Sequence, residues 1–397
     1  MIDASSHSSL RSHMSPVLFL VGIFFLNFLG RVIFSPLMPL IEKDLEIGHD
    51  EAGSFFLLIS VGFCLGLLAS GFVSSRLSHR RTIFLSSVAV GFGLMIVSVS
   101  HNLWAIWSGL ICLGIGAGIY LPSGLATVTQ LARPEHWGKA FGIHELAPNL
   151  GFVMAPLLAE FLLGFFSWRG ALLMVGIGSI IAGAIFIFWG RGGTFSGEAP
   201  DLRILRSILV EPSFWIMMAL FGLAFGATLG IYVMMPLYLV TERGMDRPWA
   251  NALIGLSRVS TLGFIILSGY VTDRIGPKKT LVSVFLATGV VTMLLGLASG
   301  YWVILMVFLQ PVLGTSFFPP GWAALSRIGS KKIRNIAVSL TIPVGYILGG
   351  GVIPTGIGVM GEIGSFGVGI TLYGVLLFLG AFLSSRLDLT KDSVATM

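Results

Sequence analysis

"GYVTDRIGPKK", residues 269–279, restates "GFVSSRLSHRR", residues 71–81, at a distance of 198 residues. Each copy closes one apolar run and ends on two basic residues at the start of the next. A short basic corner between apolar runs is what a chain shows where it turns back at a membrane surface. Two such corners indicate internal duplication, and other positions keep nearly the same displacement. Pro39 in "LMPLIEKDL" answers Pro236 in "MMPLYLVTE", and Pro122 answers Pro320.

Composition carries the membrane reading across the chain. Of 397 residues, 55% are hydrophobic and 11% charged, with a mean hydropathy of +0.93. Soluble domains run at about 25% charged residues, so a polytopic protein embedded in the lipid bilayer is expected. The pI near 9.5 comes from basic clusters scattered between apolar runs, which is a topological pattern and not a nucleic-acid face. Cys64 and Cys112 lie inside apolar runs without metal-ligand spacing, so no disulfide framework, metal or cofactor is expected. No small-residue cleavage site follows the first apolar run, which reads as a retained first helix.

A bilayer core of about 30 Å takes about 20 apolar residues per helix. Twelve stretches qualify: roughly 16–41, 52–75, 82–100, 104–130, 140–164, 168–190, 212–240, 250–271, 279–299, 302–326, 335–360 and 366–385. The longest polar linker, "GRGGTFSGEAPDLRILRSILVEPS" (190–213), divides six from six. The expected organisation is an all-α membrane protein with a six-helix half over 1–190, a cytoplasmic linker over 191–211 and a second six-helix half over 212–397. With the N-terminus inside, eighteen basic residues fall in cytoplasmic segments and only Lys43, Arg169, Arg243 and Arg247 on the other side. That bias places both termini in the cytoplasm, as for a multi-pass inner-membrane protein. Trp104, Trp168, Trp249 and Trp302 at outer helix ends, with Trp189 and Trp215 near inner ends, read as an aromatic belt.

The repeated corner resembles a signature of the major facilitator superfamily, found in the loop after the second helix of each half. Gly269, Asp273, Arg274, Gly276, Lys278 and Lys279 match it completely. The first copy keeps Gly71, Arg76, Arg80 and Arg81 but has Ser75 for the acid and Ser78 for the second glycine. The resemblance implies twelve helices in two six-helix halves related by a pseudo-two-fold axis, rocking about a central site, with these corners acting as a cytoplasmic latch. Two further patterns of the family are incomplete. Leu110 stands where the fourth helix often carries an arginine linked to proton coupling, so that form of coupling is not expected. Gly142, Gly151 and Pro156 keep the antiporter spacing on span 5, but Ala155 and the pair Ala159–Glu160 depart from it. "GIGAG" (114–118) has no preceding strand and no acidic residue about 20 positions on, so it reads as close helix packing and not as a dinucleotide fingerprint.

Two of the 24 basic residues have no place in any loop: Arg31 in span 1 and Arg258 in span 8. A guanidinium near mid-membrane costs about 2.5–3.5 kcal/mol even on lenient scales. Neither is repeated, since Arg258 maps onto Ser60 and Arg31 onto the neighbourhood of Thr228. Under the resemblance, helices 1, 4, 7 and 10 line a central cavity and 2, 5, 8 and 11 flank it, so both arginines approach one cavity. Glu145 and Glu160, both on span 5, are the acids available inside spans. Pairing of an arginine with Glu160 is one reading. The other is that an anionic substrate supplies the missing charge, held by guanidinium forks.

Asn27, Tyr120, Tyr232 and Gln310 are further candidates for substrate contact. In "FGIHELAPNLG" His144, Glu145 and Asn149, which shares the face of Glu145, are candidates for proton coupling or gating, and Glu160 further along span 5 is a fourth. Pro343, Gly349, Gly350, Gly351 and Pro354 predict a bent span 11. The expected activity is secondary transport of a small organic anion, a carboxylate by preference, through alternating access with proton symport, by a monomer. Anion exchange, efflux by proton antiport and a transport-inactive receptor are the rival readings. No nucleophile–base or metal-ligand set lies within the spans, so an enzyme is not expected.

Overall fold

The computed structural model describes residues 10–198, 212–327 and 340–387. Among them, twelve helices are long and apolar enough to cross a membrane. The first six are α1 (Met14–Leu45), α2 (His49–Leu77), α3 (His79–Val99), α4 (Leu103–Leu131), α5 (Pro134–Leu163) and α6 (Trp168–Trp189). The last six are α7 (Pro212–Glu242), α8 (Arg247–Ile275), α9 (Pro277–Leu297), α10 (Tyr301–Leu325), α11 (Leu340–Ile363) and α12 (Phe366–Ser385). Number and order agree with the sequence reading, and the helices run a few residues past the apolar cores into the interfaces. Arg203, Arg206, Lys331, Lys332, Arg334 and Lys391 lie outside the described residues, as do 199–211 of the expected linker. The side carrying the α2–α3 and α8–α9 corners is called the basic side below.

Small residues let helices meet backbone to backbone. A Cβ on Gly66 of α2 would lie 2.2 Å from the carbonyl oxygen of Ile115, and one on Gly118 of α4 2.2 Å from that of Phe63. "GIGAG" is therefore a packing segment. The crossing of α7 with α11 is tighter in kind, because both helices widen there into π turns, Gly226–Gly230 and Tyr346–Val352. The glycines of α11 lie within a π turn, a recognised cause of helix bending, and single π turns of this kind often mark functional sites. Helix α1 is interrupted at Ile33, two residues after Arg31, and α5 at Glu145.

A seam on the side opposite the basic one joins the first six helices to the last six. Gly53 of α2 packs on Pro354 and Thr355 of α11. His49 donates its backbone N–H to the Glu362 carboxylate at 2.8 Å, and its Nδ1 stands 2.9 Å from Glu42. Asn251 of α8 donates to the Pro36 carbonyl of α1, and Ser35 to the Tyr232 carbonyl of α7. Glu160 of α5 meets Arg247 of α8 at 3.2 Å and accepts a short hydrogen bond from Asn251.

Two expectations change at helix ends. Trp104, Trp189, Trp215, Trp249 and Trp302 are exposed, as belt residues would be, but Trp168 is only 5% exposed. Its indole N–H donates to Asp44 at 3.2 Å, and Arg169 stacks over its ring and pairs with the same carboxylate at 3.0 Å. Trp168 is thus a packed strut and not a surface anchor. Gly276 of the second corner has φ +86°, and Ser78, where the first corner lacks glycine, keeps φ +111°. That region is strained for a residue with a Cβ by about 1–3 kcal/mol. Ser78→Gly is expected to stabilise the protein by about 1 kcal/mol after the entropic cost of glycine. An unchanged or lower thermal midpoint in detergent would count against it.

Candidate functional site

Phe28 and Arg31 lie three residues apart on α1 and therefore share a face. Arg31 is 5% exposed, and its guanidinium carbon sits 4.5 Å from the Phe63 ring centre, 4.9 Å from Phe28 and 5.3 Å from Tyr346. Its Nε and Nη1 are buried and have no hydrogen-bond partner. It borders a small cavity of about 20 Å³ whose other walls include Phe56, Ile59, Ser60, Leu229 and Gly350. Cations over aromatic faces gain about 0.5–2 kcal/mol, which offsets part of the desolvation but supplies no acceptor.

Arg258 repeats this chemistry from the other set of helices. Its guanidinium carbon lies 4.6 Å from the Phe152 ring centre and 4.7 Å from that of Tyr232, and the side chain is 4% exposed. Nη2 donates to the Thr228 carbonyl at 2.8 Å, whereas Nε and Nη1 are buried without a partner. A second small cavity, about 10 Å³, is lined by Arg258 with Tyr232, Met235, Ser257 and Gln310.

The two arginines flank one aromatic cluster. Phe28, against Arg31, meets Phe152 edge to face at 4.8 Å, and Phe152 meets Tyr232 in the same way at 4.8 Å. The Tyr232 hydroxyl donates to the Phe152 carbonyl at 2.9 Å, so α5 and α7 are tied at this level. The repeat gives the arrangement its logic. Arg31 sits beside Ser60, the counterpart of Arg258, and Arg258 bonds the carbonyl of Thr228, near the counterpart of Arg31. Each half thus places one guanidinium at its helix 1–helix 2 contact, from the first helix in one and the second in the other.

The remaining candidates divide. Gln310 lines the Arg258 cavity, donates to the Ala227 carbonyl at 2.8 Å and leaves its own carbonyl oxygen unpartnered. Asn27 and Tyr120 line neither arginine's cavity, contrary to expectation. Asn27 reaches Ser86 and the Ala117 carbonyl, because its face of α1 packs on α3 and α4. Tyr120 donates to the Leu20 carbonyl and contacts His144 Nε2, each at 3.0 Å. His144 is fully buried, Glu145 is exposed beside it, and Asn149 donates to the Glu145 carbonyl at 2.9 Å. Glu160 is taken by Arg247 and Asn251, and pairs with neither Arg31 nor Arg258, so that reading is corrected. The outer arginine was closer to it than either buried one.

The latch residues engage their own half. Lys278 donates to the Leu387 carbonyl at 2.8 Å, Arg274 lies over Tyr270, and Arg80 reaches the Phe186 carbonyl at 3.4 Å. Asp273 is exposed and, among the described residues, makes no ion pair. Gly71, Arg76, Arg81, Gly269 and Lys279 belong to the same two corners, with Lys279 lining a surface recess beside Arg274 and Lys278.

Sequence reasoning missed Phe28, Phe63, Phe152 and Tyr346, the rings that hold the arginines. Phe28, three residues before Arg31, was the one available signal. It missed the Glu160–Arg247 pair as well. Glu160→Gln is expected to weaken the seam by about 1.5–3 kcal/mol, more than tenfold in its opening equilibrium. Spin labels at the exposed positions Phe161 and Trp249 should then show a longer distance population, and an unchanged distribution would refute this.

Comparison with known proteins places this geometry. The profile described as Major Facilitator Superfamily matches residues 20–354. The 3-(3-hydroxy-phenyl)propionate transporter of Escherichia coli (strain K12) is 23% identical over 369 residues, covering 89% of this chain and 90% of that protein. A probable nitrate transporter, NarT, of Staphylococcus haemolyticus is 22% identical over 69% of this chain and 70% of its own length. Among solved structures, a bacterial homologue of the human lysosomal transporter Spinster, inward-facing and unoccupied, matches with a TM-score of 0.80 at 15% identity, covering 96% of this chain and 98% of that one. The D-xylose–proton symporter matches with a TM-score of 0.76 at 16% identity, covering 96% and 99%. With twelve membrane helices and a family match over most of its length, this chain belongs to the major facilitator superfamily and is a membrane transporter, not an enzyme.

Proposed function

We propose that this transporter carries a small organic anion, a carboxylate with an apolar body, by alternating access coupled to proton symport. The observation that carries the reading is the pair of buried guanidiniums, each with Nε and Nη1 lacking an acceptor and neither, among the described residues, paired with an acid. An unsatisfied buried donor costs about 1–3 kcal/mol, more when charged, and a bound carboxylate removes that cost at both arginines. The aromatic walls favour an apolar body on the substrate. The relative named for 3-(3-hydroxy-phenyl)propionate agrees with that chemistry. In this reading the basic side faces the cytoplasm of a cell whose inner membrane holds the protein as a monomer, and the seam closes the outer side.

Relatives named for nitrate and nitrite favour a second reading, a small inorganic anion. The test is uptake of labelled benzoate, 3-phenylpropionate, lactate, dicarboxylates and nitrate into proteoliposomes, with and without an acid gradient. Apolar-bodied monocarboxylates should be taken up best and stimulated by the gradient. Nitrate uptake above that of every carboxylate would favour the second reading, and gradient-independent counterflow alone would indicate exchange. Uptake of no anion would overturn both.

A further inference from the structure

We propose that His144 is the proton-binding residue of the transport cycle, taking the proton on Nδ1 opposite the Glu145 carboxylate. The assignment rests on the proton-coupled reading above and adds the atom that holds the charge. Hydrogen bonding sets the tautomer. The Tyr120 hydroxyl has one proton, and its oxygen stands 3.0 Å from the Leu20 carbonyl oxygen, which can only accept. The same hydroxyl oxygen stands 3.0 Å from His144 Nε2, which must therefore donate to it. The neutral ring then carries hydrogen on Nε2 and a lone pair on Nδ1.

That Nδ1 is buried without a hydrogen-bond partner and faces Oε1 of Glu145 at 3.5 Å. Two acceptors opposed in this way repel each other until one proton lies between them. The surroundings suit a cation there. The His144 ring stacks on Phe24 at 4.6 Å and is nearly parallel to Tyr120 at 5.9 Å, so π faces meet the imidazolium. Tyr120 from α4 and Glu145 from α5 are the ionisable groups that face it, whereas α1 presents Leu20 and Phe24. Glu145 is 53% exposed and connects the buried ring to water.

The site reaches the arginine through one helix contact. Phe24 precedes Arg31 by seven residues on α1, and His144 precedes Gly151 by seven on α5. Gly151 packs so closely on Phe28 that a Cβ there would lie 2.5 Å from the ring. Two turns separate the proton site from the Phe28–Arg31 level, about 10 Å. Charging His144 therefore acts on the α1–α5 contact that sets Phe28 against Arg31.

Labelled benzoate in proteoliposomes provides the transport arm. The ratio of acid-gradient-driven uptake to counterflow should fall about tenfold or more in His144→Gln, and less in Glu145→Gln. A ratio within about twofold of the unsubstituted protein overturns the proposal. The second arm is ¹⁵N NMR of the full chain labelled at its seven histidines, with the His144 signal identified by its loss in His144→Gln. That signal should report hydrogen on Nε2 and none on Nδ1 of the neutral ring, the tautomer that leaves Nδ1 open to the proton. Hydrogen on Nδ1 of the neutral ring, with Nε2 bare, overturns the proposal whatever transport shows. Should His144→Gln not fold, the His144 signal is the one that Tyr120→Phe shifts, and a spectrum with no histidine signal shifted by Tyr120→Phe overturns the tautomer on which the site depends. Uptake of no anion by the unsubstituted protein would sink the anion reading while leaving the NMR arm to decide this one.

Discussion

Arg258→Ala is expected to lower carboxylate uptake about a hundredfold, and Arg31→Ala to do the same, with folded protein still in the membrane. The size follows from losing a charge-assisted contact worth about 1.5–3 kcal/mol together with the cation–π wall. Arg258→Lys keeps the charge but not the planar fork that stacks on Phe152 and Tyr232, and should recover only part of the activity. Stability separates a binding role from a structural one. A structural arginine leaves buried partners unpaired when removed, and its loss destabilises by several kcal/mol. Arg258 has one backbone partner, the Thr228 carbonyl, against two unpartnered nitrogens. Arg258→Met should therefore unfold at a temperature no lower than the unsubstituted protein while transporting nothing. Full uptake by both alanine variants, or marked thermal destabilisation of Arg258→Met, would refute the anion site.

These arginines were the most legible functional feature of the chain, and the reason is physical. Arginine has few reasons to sit in an apolar helix, so the loop bias isolates Arg31 and Arg258 by elimination. What holds them was not legible. With 30 phenylalanines in the sequence, Phe63 and Phe152 carry no mark that separates them from lipid-facing residues. Phe152 meets Arg258 across 106 residues of chain, in the other half of the repeat. The partner of Glu160 was not legible for the same reason. Its place along α5, near the end opposite the basic side, follows from helix length, but the partner depends on how α5 and α8 cross. Helix period and length are local properties, and the twelve spans followed from them. Ser78 gives the opposite lesson: the residue departed from the repeat while the backbone kept the glycine conformation, φ +111°. The corner is set by the α2–α3 turn, and the side chain bears the strain.

The largest effect on the fold is expected at the crossing of α7 and α11, where Gly349→Val should abolish both folded protein and transport. A Cβ on Gly349 would lie 2.3 Å from the Gly226 amide nitrogen, 2.5 Å from the Phe225 carbonyl carbon and 2.6 Å from the Gly222 oxygen. All three are backbone atoms, so no rotamer change can relieve the overlap. Gly230 approaches from the other side, with a Cβ there 2.5 Å from the Gly349 carbonyl oxygen. Separating the helices enough to admit a side chain would disturb Tyr346 at the Arg31 cavity and Thr228 at Arg258, since both residues belong to the two π turns. Overpacking of this kind costs about 1–3 kcal/mol in a compliant core and more where only backbone can yield. Gly349→Ala is the graded form and should fold poorly, with residual protein showing weakened anion uptake. Gly356, with open space at its Cβ position on the same helix, is the control, and Gly356→Ala should be near neutral. Fluorescence-detected size-exclusion of the three variants, followed by uptake, reads this ranking directly. A well-folded, fully active Gly349→Val would mean that the α7–α11 crossing is not the rigid contact on which both arginine cavities depend.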